Sequence, residues 1–345
     1  MNNSFRKRQA GRSGVVVGPL GVGTWAIGGP FFSGAGCRYP TGAPLGYGKV
    51  DDQVSIQALR RAADLGVLLF DTADAYGTGH GEKILGEALK GVRNRVVIST
   101  KFGNTYDEDR RELTGTDASP NYIRQACHAS LKRLQTDWID LYHLHIGDLA
   151  LDQAEIVADT LDALCEEGLI RHYGWSTDDP LRAAAFANRP AATTVQFDMN
   201  LFEDAPEMLR ICEANRFAGI VRLPLAMGFL TGKYSAASQL PKDDIRSKPP
   251  VWLRYFEEGG SASKDWVAAL DGVKEILRSN GRTLAQGALG WIWARSGCTV
   301  PIPGIRTVAQ AEENVGAIDF GPLTPSQMSE IATLLYDPSL RANAP

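Results

Sequence analysis

The chain has 345 residues, 44% hydrophobic and 22% charged, the balance of an ordinary globular protein. A net charge of −4 excludes a broad basic surface for nucleic acid or anionic lipid, and no stretch approaches the ~20 apolar residues of a membrane span. The five cysteines, Cys37, Cys127, Cys165, Cys212 and Cys298, are odd in number and lack a C-x-x-C pair, which points to reduced thiols in a cytoplasmic setting.

In chain order, Arg6, Lys7, Arg8 and Arg12 precede an uncharged stretch from Val15 to Phe32, loosely like a secretory leader. Gly18, Pro19, Gly21, Gly23, Gly28, Gly29 and Pro30 interrupt it, so it makes a poor apolar helix and export is not expected. Residues 1–13 and 338–345 read as flexible tails. Between Gly21 and Phe320, short β-rich runs alternate with helical periods. The runs are Gly21–Trp25, Val67–Ala73, Val96–Lys101, Ile139–His145, Arg171–Ser176, Thr193–Asn200, Gly219–Pro224 and Thr299–Ile305. Several are apolar with little alternation, as strands buried on both faces are.

Helix signals lie between the runs. Asp51-Asp52 opens a segment that Gly66 closes. Ser119-Pro120 supplies a cap and a first-turn proline before Ile123, Cys127, Leu131 and Leu134. Thr283-x-x-Gln286, Thr307-x-x-Gln310 and Thr324-Pro325-x-Gln327 read as capping boxes. Eight β/α repeats in about 300 residues, with no linker, predict an α/β fold, a (β/α)8 TIM barrel in one domain over 14–335. The connections 26–50 and 233–262 are too long for plain turns. Both follow a strand, which places them on the C-terminal face where barrel sites lie.

Asp71, Lys101 and His145 each end a different run, and Tyr76 lies in the loop after the first. Strand ends converge on one rim of a barrel, so four titratable groups meet there. An ammonium beside a phenol favours the phenolate and should lower its pKa. In this arrangement Tyr76 is a general acid, Lys101 tunes it, Asp71 anchors Lys101, and His145 orients a carbonyl. His143-x-His145 shares a face by strand alternation. No other histidine-rich segment completes a metal set, so His143 is expected one layer below His145 with no metal. Gly21-Val22-Gly23-Thr24-Trp25-Ala26 mimics a dinucleotide fingerprint, but Gly28-Gly29-Pro30 follows where a helix is required. Pro301–Thr307 runs from a strand into a helix N-terminus, where amides and Arg306 suit an anion. Pro224–Lys233, with paired glycines and a lysine, has the composition of a backbone wrap around a pyrophosphate.

These motifs resemble the aldo-keto reductases, NADPH-dependent carbonyl reductases on a (β/α)8 barrel, over roughly residues 14–335. Phe70-Asp71-Thr72-Ala73-x-x-Tyr76-Gly77, Ser99-Thr100-Lys101-Phe102-Gly103 and Asp140-Leu141-Tyr142-x-x-His145 carry the tetrad Asp71, Tyr76, Lys101 and His145. The resemblance implies NADPH as cofactor. It places Gly23, Thr24, Trp25 and Asp71 beside the nicotinamide, and Ser176, Thr177 and Gln196 at its carboxamide. Leu225, Gly228, Leu230 and Lys233 fall at the pyrophosphate, and Gly304, Arg306, Gln310, Glu313 and Asn314 at the 2′-phosphate and adenine. Thr177 replaces the usual asparagine. Arg222 stands where many members stack an aromatic, and is expected to stack by its guanidinium, to face substrate, or to form a salt bridge at the strand end.

The implied activity is reduction of an aldehyde or ketone, sugar-like or aromatic, in a pocket walled by Trp25, Tyr76, His145, Phe197 and Asn200. The expected partner is a small-molecule carbonyl, with neither nucleic acid nor membrane, and the sequence leaves the oligomeric state open. The alternative function is a cofactor-binding regulatory subunit with little turnover; the intact tetrad argues against it.

Overall fold

A computed structural model describes residues 3–336. Eight strands form the central sheet: β1 (Gly21–Gly23), β2 (Leu69–Asp71), β3 (Val97–Phe102), β4 (Ile139–Leu144), β5 (Ile170–Ser176), β6 (Ala192–Asp198), β7 (Ala218–Arg222) and β8 (Thr299–Pro301). Neighbours pair in that order, all parallel. A parallel bridge between Gly23 and Gly304 brings the first strand against the last. This is the expected (β/α)8 barrel, and every expected run overlaps its strand, four of the strands reaching one residue beyond the run.

Alternation sorts the strand side chains into two layers. Phe70, Ile98, Tyr142, Val195 and Val221 join the large apolar cluster beneath the helices. Leu69, Val97, Leu141, Ile220 and Val300 form a separate cluster with Ile302. Successive residues of a strand point to opposite faces, so this second set fills the barrel. Higher in the barrel the inward residues become polar: Asp71, Ser99, Lys101, His143, Thr194 and Gln196 are all buried. The interior is therefore an aliphatic floor carrying a polar layer.

The floor is closed from below by the N-terminal segment, against the expectation of a loose tail over 1–13. Ala10 and Val17 belong to the interior cluster, and Val15 packs on it. Arg8 donates to the carbonyls of Ser296 and Thr299. Arg12 donates to those of Ala187, Arg189 and Ala192. Gly11 has φ +57°, and a Cβ there would lie 2.1 Å from the Thr193 carbonyl oxygen. The physical cause is the apolar interior, which would otherwise meet water, together with strand-end carbonyls that need donors. Residues 338–345 lie outside the described residues.

Local signals hold at most helix starts. Asp51 caps Asp52–Asp64 through the amides of Gln53 and Val54, and Ser119 caps Pro120–Leu134. Both bonds of a capping box form at Thr283/Gln286 and at Thr324/Gln327. At Thr307 only the threonine bond forms, because the Gln310 carbonyl oxygen accepts from the Arg306 amide instead.

The two long connections do lie on the C-terminal face, and they meet. The Ile245 amide donates to the Gly46 carbonyl at 2.7 Å, and Tyr47 bridges Asp244. An accessory sheet stands beside them, built from Phe32–Ser33, Glu112–Thr116 and Asn104–Asp107.

Removing residues 1–12 should lower the unfolding free energy by roughly 2–4 kcal/mol, since charge-assisted bonds and floor packing are lost together. Urea denaturation checks this, and an unchanged midpoint would show the docked segment to be energetically idle.

Candidate active site

Strand register builds the site. Gly23 pairs Asp71, Asp71 pairs Ser99, Lys101 pairs His143, and Ser176 pairs Gln196. Lys101 Nζ donates to Asp71 Oδ2 at 2.7 Å, to the Thr72 carbonyl at 2.7 Å and to Tyr76 Oη at 3.2 Å. The ammonium thus spends all three of its hydrogens. Asp71 Oδ1 accepts from Ser99 Oγ at 2.7 Å and Gln196 Nε2 at 2.8 Å. The Tyr76 ring lies parallel to Trp25, centroids 5.9 Å apart, and edge-on to His145 at 6.1 Å. The four sequence-predicted tetrad residues therefore share one cluster.

Electrostatics follow from burial. Burial opposes the charge on Lys101, but Asp71 and Tyr76 together outweigh it and the ammonium is held above its ordinary pKa. Burial also raises the Tyr76 phenol, and the opposing pull of Lys101 does not cancel it. The expected lowering of the Tyr76 pKa is corrected here: desolvation wins, so the phenol stays protonated. Burial, reinforced by Lys101 and Arg222, pushes His145 well below the usual imidazole range, leaving it neutral.

Beside this cluster runs a cleft of about 830 Å³. Gly23, Thr24, Trp25, Asp71, Tyr76, Arg222, Leu225, Gly228, Lys233, Gly304, Arg306, Gln310, Glu313 and Asn314 line it. The wrap after β7 is built of left-handed backbone at Met227 (φ 54°) and Gly228 (φ 89°), which turns the chain sharply around the cleft. The Arg306 guanidinium donates to the carbonyls of Tyr47 and Lys49, tying the 26–50 connection across the cleft mouth.

Several sequence-predicted positions fall elsewhere. Phe197 is fully buried, with its ring against Gly219, because alternation turns it outward when Gln196 points in. Asn200 is buried and bonds Tyr255 Oη at 3.2 Å and the Phe202 amide at 3.0 Å, anchoring the 233–262 connection rather than walling a pocket. Leu230 is buried in the core and does not line the cleft. The Thr177 hydroxyl donates to the Gly147 carbonyl at 2.7 Å and accepts from the Asp179 amide. Arg222 does line the cleft, but its charge is paired with Asp178 and with Asp198 at 3.1 Å. Those two carboxylates outweigh burial and hold it ionised.

Ser176 and Gln196 lie behind the cleft and bear on what it could hold. Ser176 Oγ and Gln196 Oε1 are buried without a hydrogen-bond partner, and they sit on paired residues of adjacent strands. A hydroxyl that can donate beside a carbonyl oxygen that can only accept is the set a primary carboxamide requires. The cleft residues thus fit a dinucleotide at both ends, a carboxamide at Ser176 and Gln196 and an anion at Arg306.

Sequence reasoning missed Ser99, which was quoted in the lysine motif but assigned no role. Its position two residues before Lys101 puts both on one face, a signal that strand alternation supplies. Asp244, Arg246 and Tyr234, which line the cleft from the 233–262 connection, carried no periodic signal.

A family model described as the aldo/keto reductase family matches residues 19–335. The NADP(+) aldo-keto reductase yakc of Schizosaccharomyces pombe is 32% identical over 294 residues, 83% of this chain and 83% of that one. The aldo-keto reductase YhdN of Bacillus subtilis is 30% identical over 94% of this chain and 91% of its own length. A solved structure of a glycerol dehydrogenase from Gluconobacter oxydans superposes with a TM-score of 0.79 at 27% identity, covering 97% of this chain and 96% of that one.

Lys101→Met should destabilise the protein by about 3–5 kcal/mol, because it strands the Asp71 charge in the barrel. Adding Asp71→Leu should recover much of that loss in denaturant unfolding. Equal or additive losses would show that the ion pair is not what holds the layer.

Proposed function

The chain belongs to the aldo/keto reductase family, and we propose that it is an NADPH-dependent oxidoreductase that reduces an aldehyde or ketone with Tyr76 as the acid. The observation that carries this reading is one ammonium joining a buried carboxylate to a phenol at the barrel rim. The bound dinucleotide would supply the hydride. Ser176 and Gln196 would hold its carboxamide, Leu225, Gly228 and Lys233 its pyrophosphate, and Arg306, Gln310 and Asn314 the adenosine end.

The remaining chemistry belongs to the side chains. A protonated Tyr76 hydroxyl gives its proton to the carbonyl oxygen as negative charge builds there. Lys101, already facing that oxygen, stabilises the phenolate left behind. A neutral His145 imidazole can donate a hydrogen bond to the same carbonyl without competing for the proton. Trp25, parallel to the Tyr76 ring, offers a flat apolar wall suited to a ring-bearing or sugar-like carbonyl. Five free cysteines suit a reducing compartment such as the cytoplasm.

Tyr76→Phe should lower turnover of a good aldehyde by ~10²–10⁴-fold while NADPH still binds, followed by its fluorescence. Near wild-type turnover would end the acid assignment. Arg306→Ala should weaken NADPH by about tenfold or more and leave NADH affinity unchanged, as loss of a charge-assisted phosphate contact requires. Equal effects on both cofactors would remove Arg306 from 2′-phosphate recognition.

A further inference from the structure

Beneath the reacting groups, the barrel holds a polar chain of which this chemistry uses only the Asp71 end. Thr194 Oγ1 lies 2.8 Å from His143 Nε2, His143 Nδ1 lies 3.3 Å from Ser99 Oγ, and Ser99 Oγ lies 2.7 Å from Asp71 Oδ1. All four residues are buried. Proton counting fixes the direction of each link. A carboxylate only accepts, so the single Ser99 hydrogen goes to Asp71. Ser99 can then only accept from His143, which puts the imidazole hydrogen on Nδ1. The bare Nε2 accepts from Thr194.

The link from Thr194 to His143 spans three strands because of one glycine. His143 is on β4 and Thr194 on β6, with Gly174 of β5 paired to both. A Cβ at Gly174 would lie 2.1 Å from the Thr194 carbonyl oxygen and 2.8 Å from its hydroxyl. Only a residue without a side chain leaves room for the imidazole to reach across. Burial holds His143 at about 4, so the ring remains neutral and keeps one donor and one acceptor at neutral pH.

We infer that Ser99 and His143 are positioning residues that fix the Asp71 carboxylate so that its second oxygen stays on Lys101 and, through Lys101, the Tyr76 hydroxyl stays aimed at substrate. The inference rests on the reading of Tyr76 as the acid. Asp71 Oδ1 has two donors, Ser99 and Gln196. Loss of Ser99 leaves Oδ1 held by Gln196 alone, which loosens the carboxylate about its last bond and, with it, the aim of Lys101 at the phenol. A merely space-filling Ser99 would have no such effect.

The test is single-turnover oxidation of NADPH with para-nitrobenzaldehyde as the probe, in the whole protein. Ser99→Ala should slow the step about tenfold, on the scale of one lost hydrogen bond, with NADPH affinity and KM within about twofold of wild type. Ser99→Thr keeps the hydroxyl and should restore the rate. His143→Gln, which can still donate to Ser99, should fall between wild type and Ser99→Ala. Tyr76→Phe is measured alongside. If it turns over normally, the acid assignment fails whatever Ser99 does. If it is inactive and Ser99→Ala keeps the wild-type rate, or Ser99→Thr is as slow as Ser99→Ala, the positioning role is refuted while the acid assignment stands.

Discussion

A lysine and an aspartate buried side by side in a barrel are the constraint on which this site depends. Removing two charges from water costs several kcal/mol each, and the cost is repaid only if every donor and lone pair finds a partner. Lys101 has three hydrogens and three acceptors, one of which is the Tyr76 hydroxyl. The phenol is thus part of the solution to a burial problem, and its position follows from it. Asp71 is met on one oxygen by Lys101 and on the other by Ser99 and Gln196. The polar layer exists because the pair needs it, and the aliphatic floor below keeps water from competing for the same bonds.

That floor reaches down to the N-terminal segment. Ala10 and Val17 seal the lower mouth, while Arg8 and Arg12 satisfy carbonyls at the strand starts. At the upper mouth, closure is by two connections that hold each other. Arg246 is buried against Asp244 and the Tyr234 hydroxyl, its guanidinium 4.7 Å from the Tyr47 ring centroid, and it donates to the Met227 carbonyl of the wrap at 3.2 Å. One side chain therefore couples the 26–50 connection, the 233–262 connection and the backbone wrap. Two connections that the sequence shows only as too long for plain turns are thus cross-braced in space.

Much of this was legible in the sequence, for stated reasons. Asp71, Lys101 and His145 each close an apolar run, and a barrel collects strand ends at one rim, so pattern and topology alone bring them together. What escaped was set by parity or by irregular backbone. Phe197 was expected in the pocket, yet with Gln196 pointing inward the next residue must point out. The strands Asn104–Asp107 and Glu112–Thr116 are only partly covered and mostly polar, so no apolar alternation announced them. Arg8 and Arg12 bind main-chain carbonyls, a partner that no side-chain pattern reveals. The Leu225–Lys233 wrap could be read as a turn, but which of its residues face the cleft depends on left-handed torsions at Met227 and Gly228.

The two departures from the family pattern turn out to be one feature. Thr177 spends its hydroxyl on the Gly147 carbonyl of the loop after β4 and on the Asp179 amide, and the next residue, Asp178, holds Arg222 and also accepts from the Asp198 amide at 2.8 Å. Burial lifts the Asp198 carboxyl to about 7, and Arg222 pulls it only part of the way back. The arginine at the end of β7 thus has two carboxylates, and the loop after β5 supplies one of them at Asp178, next to the threonine that stands where the family pattern has asparagine. The guanidinium's Nε and Nη2 are engaged by those carboxylates, so the charge that Arg222 brings to the cleft wall is compensated. Of the three roles the sequence leaves open for Arg222, the structure shows the salt bridge at the strand end.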